Sequence, residues 1–131
     1  MKRMKVLLVD DEEEFVSALA ERLHLRGIEA LTATDGKEAL KRIEIDSPDL
    51  VVLDVLMPGL GGLDVLKHIQ KEFPHIKVIL LTGRGSTNEG IEGMRLGAFD
   101  YLMKPLKIEE LIKKMQEALG DPLKGTTRRE R

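Results

Sequence analysis

Five short apolar runs, rich in Val, Ile and Leu, recur along the chain at residues 5 to 10, 28 to 33, 49 to 54, 77 to 82 and 98 to 103. Each has the length of a strand, and between them the apolar positions change to helical spacing, which predicts βα units around a parallel sheet. Phe15, Leu19 and Leu23 share one face, as do Ala39, Leu40 and Ile43, and then Leu63, Leu66, Ile69 and Phe73. The last segment is the clearest. Its Ile108, Leu111, Ile112, Met115 and Leu119 fall at i, i+3, i+4, i+7 and i+11, the stripe of a helix lying on a sheet. Arg26-Gly27, Asp35-Gly36, Ser47-Pro48, Gly61-Gly62, Phe73-Pro74 and Gly97 punctuate the boundaries. The expected fold is therefore α/β, with a single five-stranded parallel sheet in a doubly wound (βα)5 arrangement. Right-handed crossovers place the ligand site of such a sheet outside the carboxyl ends of its strands.

Composition narrows the function. At 131 residues the chain is one domain by size, long enough for a core without covalent staples. There is no cysteine, so disulfides and thiolate chemistry are excluded, and a reducing cytoplasmic location is expected. No apolar run approaches the length of a membrane span, and Met1-Lys2-Arg3-Met4-Lys5 leads into a strand, not a signal peptide. Against 23 acidic side chains stand 21 basic ones, a formal charge of −2 that does not point to nucleic acid. At 3% aromatic content there is no base-stacking platform either. His24, His68 and His75 lack metal-ligand spacing and are expected on the surface.

The polar residues that close the apolar runs carry the chemistry. Asp10 and Asp11 follow the first run, Asp54 ends the third, Thr82 ends the fourth and Lys104 follows the fifth. In a parallel sheet all of them reach one edge. Three clustered carboxylates repel one another, so they must bind protons or a cation, and hard oxygen ligands favour Mg²⁺. With Asp10 and Asp11 at the metal, Asp54 is free to attack a phosphoryl donor and form an acyl phosphate. Lys104 and the Thr82 hydroxyl would neutralise charge on the phosphoryl oxygens. Each residue taken singly has a plainer reading. Asp10 and Asp11 begin an acidic run that complements a helix dipole, Asp54 is a polar strand end, Thr82 is a helix N-cap and Lys104 is a solvated charge. Their convergence on one edge favours the chemical reading.

The motifs Leu8-Val9-Asp10-Asp11, Leu53-Asp54-Val55-Leu56-Met57-Pro58-Gly59, Thr82-Gly83 and Gly97-Ala98-Phe99-Asp100-Tyr101-Leu102-Met103-Lys104-Pro105, in this order, resemble the receiver domain of two-component response regulators. The likeness runs from about residue 4 to 119. It implies the flavodoxin-like strand order 2-1-3-4-5 known for a chemotaxis member of that family. It also implies that Asp54 is the phosphoacceptor, supplied by a histidine kinase or histidine phosphotransfer protein. Mg²⁺, or Mn²⁺ in its place, would be held by Asp10, Asp11, Asp54 and the backbone carbonyl of Leu56. Thr82 would bind and report the phosphoryl oxygens, and Lys104 would pair with them. The Lys104–Pro105 peptide would be cis. Tyr101 resembles the switch aromatic that turns inward as Thr82 moves; an ordinary half-buried strand tyrosine is the alternative. Phosphorylation would then change the face formed by the fourth helix, fifth strand and fifth helix. Partners would be the phosphoryl donor and a downstream protein or effector domain, with no direct nucleic acid or membrane contact. A phosphorylation-dependent dimer stays open.

Two departures from the family pattern carry expectations. The fourth helix, Ser86 to Arg95, holds Gly90 and Gly93 where alanines are common, and each glycine costs about 1 kcal/mol relative to alanine. That helix is expected to be marginal before phosphorylation. Leu56 and Arg84, two beyond Asp54 and Thr82, cannot act as general bases, so their side chains should not speed loss of the phosphoryl group. The rival readings are a metal-dependent phosphatase or phosphotransferase working through an aspartyl phosphate, a flavin module, and a constitutive interaction domain. Asp11-Glu12-Glu13-Glu14 after the first strand disfavours the flavin module. Retention of the acids, Thr82 and Lys104 disfavours the interaction domain. The domain is expected at 1–120, and 121–131 as a flexible tail or the start of a linker to an effector, as in the N-terminal part of a transcription regulator.

Overall fold

The computed structural model describes residues 4–57, 59–83 and 87–120. Pro58, Arg84, Ser86 and the expected tail at 121–131 lie outside the described residues. The chain alternates β1 (Lys5–Val9), α1 (Glu13–His24), β2 (Glu29–Ala33), α2 (Gly36–Asp46), β3 (Leu50–Asp54), α3 (Gly62–Glu72), β4 (Lys77–Thr82), α4 (Thr87–Arg95), β5 (Asp100–Met103) and α5 (Ile108–Leu119). Every expected strand is present. The fifth begins later than its apolar run because Ala98 and Phe99 belong to the turn that leads into it. All strand pairs are parallel, in the order β2-β1-β3-β4-β5.

Residues of alternating parity build two cores, one on each face of the sheet. Val6, Leu8, Leu50, Val52, Ile79, Leu81 and Leu102 meet Val16, Leu19 and Leu23 of α1 and Ile108, Leu111 and Met115 of α5. On the other face Leu7, Val9, Val51, Leu53, Val78 and Leu80 meet Ala39 and Ile43 of α2 and Val65, Leu66 and Ile69 of α3. This explains the unbroken apolar runs. A strand covered by helices on both sides has no solvent face to mark with polar residues, and β3 is buried at all five positions. Each of these large side chains contributes about 1.5–3 kcal/mol through burial, so a single Leu53→Ala change would cost about 2–5 kcal/mol.

Local chemistry fixes where helices begin. The side chain of Asp35 accepts the Glu38 N–H at 2.7 Å, while Glu38 Oε1 accepts the Thr34 N–H at 3.1 Å, so α2 starts on a reciprocal cap. The start of α3 is set by space. Gly62 lies against the peptide that follows Asp54, and a Cβ there would overlap the Asp54 carbonyl oxygen. The three histidines are exposed, as expected.

Candidate functional site

Register brings the acids together. Val9 of β1 pairs with Leu53 of β3, so Asp10 and Asp54 emerge side by side at the carboxyl edge. Carboxylate oxygens of Asp10, Asp11 and Asp54 lie within 4.8 Å of one another. Asp10 is wholly buried and Asp54 nearly so, whereas Asp11 faces solvent. Lys104 arrives from two strands beyond β3. Its backbone N–H donates to the Thr82 carbonyl at 2.8 Å, and its long side chain carries the ammonium back over the acids. Lys104 Nζ stands 2.7 Å from Asp10 Oδ2, 3.3 Å from Glu12 Oε1 and 3.7 Å from Asp54 Oδ2. The Lys104–Pro105 peptide is cis.

Backbone donors settle the carboxylates. Asp10 Oδ1 accepts the Glu12 N–H at 3.0 Å, and Asp54 Oδ1 accepts the Leu56 N–H at 3.1 Å. Burial, and then the charge of Asp10, push the Asp54 carboxyl up from 3.8 to about 6, against the opposing pull of the Leu56 N–H and Lys104. For Lys104 burial alone would lower the pKa. The carboxylates of Asp10, Asp54 and Glu12 outweigh it and leave the ammonium held more firmly than usual.

The donor set fits a divalent cation that prefers oxygen. Among the described residues its members are carboxylates, one of them is open to solvent, and Asp10 Oδ2 meets no hydrogen-bond donor besides the Lys104 ammonium. Among the described residues the nearby carboxylates outnumber the Lys104 ammonium, leaving net negative charge to be balanced.

Thr82 is buried one strand away, with Leu81 paired to Asp54. Its hydroxyl donates to the Leu102 carbonyl at 3.4 Å. Thr82 also lines a cavity of about 230 Å³ between α4 and β5, together with Gly90, Ile91, Met94, Tyr101 and Met103. Tyr101 is half-exposed at its rim. Thus Asp10, Asp11, Asp54 and Lys104 form one cluster, and Thr82 connects that edge to the cavity that Tyr101 borders. Leu56 is half-exposed beside Asp54. Two contacts had no signal in the sequence. Glu12 reaches Lys104 across 92 positions, and the Phe15 ring centroid lies 5.3 Å from the same ammonium.

Residues 6–116 match the family model of the response regulator receiver domain. The chain is 38% identical over 115 residues to the alkaline phosphatase synthesis transcriptional regulatory protein PhoP of Bacillus subtilis, covering 88% of this chain and 48% of that protein. It is 43% identical over 115 residues to the transcriptional regulatory protein CpxR of Escherichia coli, covering 88% and 49%. The chain spans about half the length of these curated relatives. Among solved structures, the receiver domain of NtrX from Brucella abortus superimposes with a TM-score of 0.82 at 36% identity, covering 87% of this chain and 97% of that one. A response regulator receiver domain protein from Clostridium thermocellum gives 0.84 at 37% identity, covering 88% and 94%.

Proposed function

This chain belongs to the response regulator receiver domain family, and from that premise we propose that Asp54 is its phosphoacceptor, with Asp10 and Asp11 as cation ligands. The observation that carries the assignment is the buried Asp54 carboxylate set between the acid pair and the Lys104 ammonium. The protein is a phosphorylation-activated signalling domain of a two-component system and not an enzyme with an external substrate.

The chain's own groups perform the transfer as follows. At neutral pH Asp54, with a pKa of about 6, is mostly ionised and so nucleophilic. Its free oxygen attacks the phosphorus of the donor, a P–O bond to Asp54 forms, and the donor group departs with the electrons of the bond that breaks. Lys104, 3.7 Å from Asp54 Oδ2, moves its charge from the acids to the new phosphoryl oxygens. Asp10, Asp11, Asp54 and the Leu56 carbonyl would hold Mg²⁺, or Mn²⁺ in its place, which supplies positive charge against the phosphoryl oxygens. Thr82 turns its hydroxyl from the Leu102 carbonyl to the phosphoryl group, which vacates space that Tyr101 enters. The population then shifts at the face built from α4, β5 and α5.

A turnover phosphatase needs a general acid or base beside the acyl phosphate. The residue two beyond Asp54 is Leu56, which is apolar. The phosphoryl group is supplied by a histidine kinase or histidine phosphotransfer protein, and the output is a downstream protein or effector domain in the cytoplasm. The chain matches about half the length of curated relatives named as transcriptional regulators, and its own likeness to them is that of a receiver domain. Among the described residues no helix is long and apolar enough to cross a membrane.

The test is incubation with acetyl phosphate and Mg²⁺ followed by intact mass measurement. The parent gains one phosphoryl group and Asp54→Asn gains none. Equal mass gain by the two proteins would reject Asp54 as acceptor.

A further inference from the structure

Lys104 has more partners than its pairing with Asp10 and Asp54 requires. Glu12 Oε1 lies 3.3 Å from its Nζ, and the Phe15 ring centroid is 5.3 Å away. Both come from the start of α1, remote in sequence from Lys104. Glu12 is tied to the acid pair through its own backbone, whose N–H donates to Asp10 Oδ1 at 3.0 Å.

These contacts become important when a divalent cation takes Asp10. The carboxylate at 2.7 Å, the shortest partner of Lys104, then has a second positive charge to satisfy, and the ammonium is repelled by the ion that replaces it. A lysine carries a flexible four-carbon stem, so an ammonium that loses its main partner can swing into solvent. The exposed Glu12 and the partly buried Phe15, neither of them a member of the acid cluster, remain available. The Glu12 side chain is 66% exposed and that of Lys104 25% exposed, so the pair is weakly held. It restrains the ammonium without outcompeting a doubly charged phosphoryl group. The aromatic face adds attraction with no negative charge to hinder an anionic donor.

We infer that Glu12, assisted by Phe15, is a positioning residue that keeps the Lys104 ammonium over Asp54 while a divalent cation occupies Asp10. This rests on the reading of Asp10 as a cation ligand and Asp54 as the phosphoacceptor. It goes beyond that reading by giving a task to the side chain that follows the acid pair.

The experiment compares parent, Glu12→Gln, Glu12→Asp and Phe15→Leu by acetic anhydride labelling of Lys104, read by mass spectrometry with and without Mg²⁺. Without the ion all four label alike, because Asp10 still holds the ammonium. With Mg²⁺, Glu12→Gln labels faster than the parent by about three-fold, the scale of an exposed ion pair, and Glu12→Asp restores most of the protection. Phe15→Leu gives a smaller rise. Equal labelling of parent and Glu12→Gln in Mg²⁺ overturns the inference. A second arm follows mass gain from acetyl phosphate. Glu12→Gln lowers the maximal rate by about three-fold and leaves the half-saturating Mg²⁺ concentration unchanged. A rate equal to or above the parent's also overturns the inference, since Glu12 would then act only as a surface charge repelling the donor. Mg²⁺-dependent labelling differences in a parent that never gains mass would reject the phosphoacceptor reading and uphold the Glu12 contact.

Discussion

Gly93 of α4 lies directly over Leu80 of β4, so close that an added Cβ would overlap the leucine Cδ1. Gly90, one turn earlier, faces Thr82, where a Cβ would stand 3.0 Å from Cγ2. The two glycines therefore have opposite margins. Alanine at either position gains about 1 kcal/mol of helix propensity. At Gly93 that gain is offset, because Leu80 is fully buried and overpacking costs about 1–3 kcal/mol. At Gly90 the methyl meets a threonine at the edge of a cavity and has room to settle. The expected order of stability in urea denaturation is Gly90→Ala at or above the parent, with Gly93→Ala below it. The reverse order would show that α4 does not sit this close to β4.

The same glycines leave α4 poorly committed as a helix. Over nine residues it carries two penalties of about 1 kcal/mol each, while α5 has twelve residues and no glycine. In the unphosphorylated protein, amides of residues 87–96 should exchange with solvent faster than those of 108–119, and phosphorylation should narrow the gap. Equal protection in the two helices before phosphorylation would refute a marginal α4.

Asp54 makes stability depend on pH. Its folded pKa, about 6, lies above the unfolded value of 3.8, so the folded protein holds this proton more tightly. The resulting stabilisation is full below pH ~4 and is lost as pH rises through about 6. Above that, the buried charge costs about 1–3 kcal/mol, the upper figure being the whole shift converted. Asp54→Asn should therefore be more stable than the parent at pH 7.5 by about 1–2 kcal/mol, with the difference closing toward pH 4. Denaturation curves at several pH values check this, and a difference independent of pH would remove Asp54 as its source.

How much of this could be read from the residues follows from where the information resides. The strands announced themselves because β3 and β4, covered on both faces, are apolar almost throughout. The polar residues that end them marked the edge, and Asp10, Asp11, Asp54 and Lys104 do meet there. Sheet order came from the family resemblance, since apolar periodicity does not say which strand pairs with which. The bond from Thr82 to the Leu102 carbonyl had no signal, because its acceptor is backbone and carries no residue identity. Gly90 and Gly93 were read only as defects in a helix. Their neighbours Thr82 and Leu80 belong to a different element, and only the assembled structure shows the close approach.

Lys104 is the cluster's only described cationic partner, so removing its charge should harm both fold and chemistry. Lys104→Met keeps most of the apolar stem and leaves Asp10 buried without a counter-charge. Breaking such a pair costs about 3–5 kcal/mol when fully buried, and solvent access to Lys104 reduces the expectation to about 1–3 kcal/mol at pH 7.5. Mass gain from acetyl phosphate should slow by about ten-fold or more through loss of a charge aimed at the phosphoryl oxygens. Lys104→Arg should not restore that rate, because a planar fork cannot replace a compact ammonium among three carboxylates. Full activity of the arginine variant would mean that any positive charge suffices.

A divalent cation should replace protons at the same cluster, and the two effects can be measured together. On the proposed site Mg²⁺ would bind the folded protein and not the unfolded chain, so at ten times its dissociation constant it should add about 1.4 kcal/mol of stability, reversed by a chelator. Affinity should weaken as pH falls through about 6, where Asp54 takes up a proton that the ion must displace. In Asp54→Asn that pH dependence should disappear while weaker binding to Asp10 and Asp11 persists. Asp10→Asn should lose most of the binding at every pH, since it removes a buried carboxylate oxygen that, among the described residues, meets only the Lys104 ammonium. Titration calorimetry at pH 5.5 and 7.5 decides the matter. Affinity unaffected by pH in the parent, or undiminished in Asp10→Asn, would place the cation somewhere other than this edge of the sheet.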